Sequence, residues 1–148
     1  MSHANLIKHV LDGEPLPVAH LNEDEGFIRE FMEEFVARVE RVVSDLPVIT
    51  GGGEMTEMEL YEAKMRCRNM EREELSYLYT EIESMFAFLR GMDPLRAVTV
   101  FGAYFGDSPA CGRIFPYIRA QHMTAYAAFM RHVGEHVGED PAVAAQDT

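Results

Sequence analysis

The sequence predicts an all-α protein, an antiparallel helical bundle with two long helices, a C-terminal helix and shorter flanking helices. Three observations carry that prediction. Thr56 to Arg90 contains neither glycine nor proline, and its apolar residues recur at intervals of three and four. The stretch from Asn22 to Leu46 repeats the same period. Proline stands at two further helix starts, Pro94 and Pro116, with glycine behind the expected ends at Gly13, Gly91 and Gly106.

Taken in order, Ser2 is a cap for a short helix from His3 to Leu11, with Leu6, Ile7, Val10 and Leu11 on one side and Gly13 as its terminator. Pro15 and Pro17 around Leu16 forbid helix from Glu14 to Ala19, because proline lacks a donor and restricts the residue before it. Asn22 is the expected cap of the next helix, followed by Glu23, Asp24 and Glu25 near its positive end. Ile28, Phe31, Phe35, Val39, Val42 and Leu46 mark its buried stripe. LPVITGGGEM then connects the two longest helices as an extended, glycine-rich linker.

The second long helix is predicted as one rod of about ten turns, from Thr56 to Arg90. Thr56 and Glu59 form a capping box at its start. The stripe Leu60, Ala63, Cys67, Met70 slips by one residue through Glu71 to Glu74 and resumes at Leu75, Leu78, Ile82, Met85 and Leu89. The two halves are therefore expected to face different neighbours. Asp93-Pro94 opens a further helix through Leu95, Val98, Phe101 and Phe105, favoured over a strand because a lone strand has no partner. Asp107 to Phe115 reads as one turn or an ordered loop. Pro116 opens the last helix, which runs to about Val137. Residues 1–137 form the expected single domain and residues 138–148 a frayed tail.

Composition narrows the function classes. The net charge of −12 is uneven: residues 22–93 hold 18 acidic and 8 basic side chains, a balance of −10, and residues 94–134 hold 1 and 4, a balance of +3. An acidic surface repels phosphate, which disfavours direct nucleic-acid binding and points to a basic protein partner. No apolar run reaches the ~18–20 residues of a membrane span, and the first residues lack the basic and apolar segments of an export signal. The expectation is a cytoplasmic chain with Cys67 and Cys111 as plain thiols, Cys67 in the core and Cys111 the exposed one.

Few residues carry chemistry. The motifs HExxH, GxSxG and CxxC are absent, as is the Glu-x-x-His pair of carboxylate-bridged di-metal bundles, and GGGEM lacks the lysine of a phosphate-binding loop. The sequence therefore favours a non-enzymatic interaction module, an adaptor or inhibitor that docks a glutamate-rich face on a basic protein. Glu30, Glu33, Glu34, Glu71, Glu73 and Glu74 are the candidate contacts. The alternative is a metal-binding bundle with a redox, oxygen-related or storage role. It would use a transition-metal ion on His122, His132 and His136, which share one face if the last helix is straight; His20, Glu23, Glu71 and Glu74 are further donors. A purely structural subunit of a larger assembly, a homo-oligomer among the possible forms, is a third reading.

Overall fold

The computed structural model describes residues 3–16, 20–46 and 55–134, and within them every regular element is helical. In chain order these are α1 (Ala4–Leu11), a single 3-10 turn (Leu21–Glu23), α2 (Glu25–Ser44), α3 (Glu57–Ser76), α4 (Tyr79–Arg90), α5 (Pro94–Val100), a π-helical segment (Phe101–Gly106), α6 (Pro109–Gln121) and α7 (Met123–Val133). The all-α prediction holds, and residues 95–105 are helical rather than strand. The glycine run, His136 and the predicted tail 138–148 lie outside the described residues.

The rod expected from Thr56 to Arg90 is two helices. Thr56 caps α3 as predicted, its hydroxyl accepting from the Glu59 amide at 3.1 Å. At the other end the amides of Tyr77 and Leu78 bond to carbonyls three residues back, at 3.2 and 3.0 Å, and the Ser76 hydroxyl donates to the Glu73 carbonyl. These bonds tighten the last turn and release the α-helical ladder. The break falls where the stripe slips, with Leu75 and Leu78 buried on either side of it.

Two other boundaries move. Asp24, not Asn22, caps α2 and accepts from the Phe27 amide at 3.0 Å. Asn22 is instead buried in the preceding turn against Gly91, so close that a Cβ on Gly91 would collide with its Nδ2. The helix expected to start at Pro116 starts at Pro109, because Ser108 caps it through the Cys111 amide at 3.3 Å. Pro116 lies inside α6. The break falls at His122, whose φ of −123° and ψ of 32° end α6 and begin α7.

The core is built on phenylalanine. The α2 stripe buries Phe27, Ile28, Phe31, Met32, Phe35 and Val39, and its outer part, Val42, packs at the core edge. Phe31 stacks on Phe88 of α4 with centroids 4.0 Å apart. Phe101 and Phe105 stack at 4.6 Å, because the wider π turn lets both rings face inward, and Phe129 of α7 closes on Phe101 at 4.9 Å. α2 packs on α6 and α4 on α7, with α1 laid across both α2 and α4. α3 stands apart from this arrangement: α6 is its main neighbour, and of its 20 residues only Leu75 is buried.

Candidate functional site

α3 presents an apolar surface that the rest of the described chain does not cover. Seven of the ten exposed large hydrophobic residues fall between positions 55 and 79, including Met58 at 67%, Tyr61 at 61% and Met70 at 53% exposure. Four of these, Met58, Tyr61, Met65 and Met70, lie on α3, with Met55 and Tyr77 beyond its ends and Tyr79 on α4; scattered exposed apolar residues are ordinary, but such a concentration is not. Leu60, Ala63 and Cys67, expected in the core, are only half-buried, and none packs against the buried cluster. The thiols are thus reversed from expectation. Cys111 is fully buried, and burial pushes its pKa up to about 11, which leaves it unreactive.

The six candidate glutamates divide by location. On α2, Glu30 lies 2.7 Å from Nδ1 of His3, Glu33 lies 3.9 Å from Arg29, and Glu34 meets Arg38 and Arg41 at 3.3 and 3.4 Å. These carboxylates are already answered within the chain. On α3, Glu71 lies 3.9 Å from Arg113, while Glu73 and Glu74 make no ion pair among the described residues. Glu57, Glu59, Glu62, Lys64, Arg66, Arg68 and Arg72 make none either, so the unanswered charge of both signs is concentrated on α3. A helix that carries its own acids and bases and an open apolar stripe is suited to docking another helix.

The break at His122 means that His122 and His132 do not share one straight helix. His122 is 2% exposed; Nδ1 donates to Glu83 at 2.7 Å, and Tyr79 and Tyr117 flank the ring at 4.6 and 5.8 Å. His132 donates Nε2–H to the Met92 carbonyl at 2.7 Å and so ties α7 to the loop after α4. His122 and His132 are thus held by different partners, and His136 lies outside the described residues. His20 pairs with Glu23 at 3.5 Å on the surface. Among the described residues no group of three or more histidine, cysteine, aspartate or glutamate side chains is placed to hold a metal ion.

Glu83, which sequence reasoning did not single out, is the one acid that His122 orients. It lines a cleft of about 600 Å³ between the Gly13–Leu16 segment, α4 and α7, together with Tyr79, Thr80, Ser84 and Thr124. A second missed residue is Arg38, which draws Asp12, Glu34 and Glu81 together at 3.3 Å each from beneath α1. The sequence signal for α3 was present, since Met58, Tyr61 and Met65 recur at i, i+3 and i+7 away from the Leu60 stripe. An apolar repeat on two sides of a strongly charged helix marks an element with more than one neighbour.

No family model, no curated protein and no solved structure matches this chain. No described helix is long and apolar enough to cross a membrane.

Proposed function

We propose that this chain is a non-enzymatic helical interaction module and that α3 is the helix that meets the partner. The observation that supports this most is the exposure of α3: 20 residues held to the body through Leu75, with Met58, Tyr61 and Met70 turned to solvent. Burying such side chains on association releases about 25 cal/mol per Å² of apolar surface, which an isolated surface helix forgoes. The partner it fits carries basic groups for Glu57, Glu59, Glu62, Glu73 and Glu74, rather than for the α2 carboxylates, which Arg29, Arg38 and Arg41 already engage.

Immobilised protein, exposed to the soluble proteins of a lysate at low salt and at ~0.5 M salt, tests the reading. The expected result is a bound protein, weakened by salt and lost when Met58, Tyr61 and Met65 are together replaced by alanine. Equal recovery by the triple variant, or no recovery at all, overturns it.

A further inference from the structure

On the side of α3 away from Met58, Tyr61 and Met65 runs the Leu60 stripe, and the charges that flank it are complementary to those of the same stripe in another copy. Resting on the assignment of α3 as the contact element, we infer that this stripe pairs with a second copy of this chain, with the two α3 helices side by side and antiparallel. Leu60, Ala63, Cys67, Met70, Glu74 and Tyr77 recur at alternating steps of three and four, the spacing of a two-stranded seam. At ~100° per residue, the centre of this stripe lies about 110° around α3 from Leu75, the side chain that seats the helix on the body. Met70 and Tyr77 are exposed and Leu60, Ala63, Cys67 and Glu74 half-buried, and none of the stripe's apolar residues packs against the buried cluster, which leaves room for a second helix.

Charge then selects the register. With Cys67 opposite Met70 of the second copy, Ala63 faces Glu74 and Leu60 reaches the exposed ring of Tyr77. The flanking positions set Arg66 against Glu73 and Lys64 against Glu71, and two-fold symmetry repeats each pairing. Lys64, Arg66 and Glu73 have no ion pair to another described residue, while Glu71 shares its carboxylate with Arg113 at 3.9 Å. A slip of one heptad sets Arg66 against Arg66, Lys64 against Lys64 and Glu59 against Glu73, which like-charge repulsion disfavours. A parallel pairing stacks Glu74 on Glu74 inside the seam. Only the first arrangement gives each of these charges an opposite neighbour and leaves Glu74 beside the smallest residue of the stripe, from which its carboxylate reaches water.

Sedimentation equilibrium from ~10 µM to ~1 mM covers the affinity range expected of a short seam. The wild-type chain is expected to pass from monomer to dimer, and Lys64→Glu/Arg66→Glu to raise the dissociation constant at least ~tenfold. Mixing that variant with Glu71→Lys/Glu73→Lys is expected to restore a heterodimer, since every reversed charge then meets its opposite. Orientation is read separately. Met70→Cys is expected to form a covalent dimer with Cys67 of the other copy under mild oxidation, with Cys111 buried and silent, whereas the wild type forms none. Crosslinking of wild-type Cys67 to itself indicates the parallel pair and overturns the register. A chain that stays monomeric at ~1 mM, yet still recovers a salt-sensitive partner in the previous experiment, overturns self-pairing while the role of α3 survives. Monomer with no partner removes both.

Discussion

Single residues in this protein are decided by what surrounds them rather than by their type, and glycine shows it most simply. Gly91 abuts Asn22 so closely that an added Cβ would overlap Nδ2, whereas nothing lies within 4 Å of a Cβ at Gly112 in α6. Gly91→Ala is therefore expected to destabilise by more than ~1 kcal/mol, and Gly112→Ala to stabilise by about 0.5–1 kcal/mol through its helix preference. Urea unfolding of the two variants is the check. The thiol of Cys111 offers a test in pH. Its folded pKa is raised, so its contribution to stability is complete below the unfolded value near 9 and is lost as pH rises through about 11. Wild-type stability should fall by up to roughly 2–3 kcal/mol more than that of Cys111→Ala between pH 8.5 and pH 11. A parallel decline in both proteins would refute this. His122, by contrast, is fixed by geometry: His122→Ala removes a fully buried ring with its hydrogen bond to Glu83 and opens a void, at a cost of about 2–4 kcal/mol.

At the scale of elements, α3 and α2 have the same length and opposite fates. The α2 stripe was legible because Phe27, Ile28, Phe31, Phe35 and Val39 are large, apolar and in phase, so burial had one solution. The α3 stripe was equally visible as a pattern, but a pattern names the apolar face and not the neighbour. Leu75→Ala should cost about 2–4 kcal/mol, since it removes the anchor of α3, whereas Met58→Ala should change stability by less than ~0.5 kcal/mol. Hydrogen exchange adds a second readout. At ~10 µM the amides of residues 58–70 should exchange far faster than those of α2 and α4, because few tertiary contacts hold them closed. Slow exchange there in the monomer would mean that α3 is covered in a way the fold does not explain. The break at Tyr77 follows the same logic. The slip through Glu71 to Glu74 was readable, but whether it twisted a continuous helix or broke it depended on the core that Leu75 and Leu78 share.

For the whole molecule, Arg38 is the polar counterpart of the phenylalanine core, joining the end of α1, α2 and α4 through Asp12, Glu34 and Glu81. Burial raises the pKa of Glu81 despite the opposing pull of a backbone hydrogen bond and of Arg38. Its raised value favours folding at pH below the ordinary glutamate range, and that contribution is lost as pH rises through the folded value. Arg38→Met leaves the Glu81 carboxylate, itself only 13% exposed, without its cation. The variant should lose about 2–4 kcal/mol at pH 7 and distinctly less near pH 4, where Glu81 is protonated. Equal losses at the two pH values would show that packing, not charge, sets the role of Arg38.

The sequence by itself determined that the chain is helical, where most helices start and which residues of α2 and α4 face inward, because those follow from periodicity and capping over a few neighbouring positions. Only the tertiary structure decided that α3 is left open, that His122 turns to Glu83 across 39 residues, and that the α2 glutamates are answered within the chain. Those outcomes depend on which distant groups arrive beside a side chain. A local pattern states what each face prefers, but the packing of the other helices determines whether that preference is met.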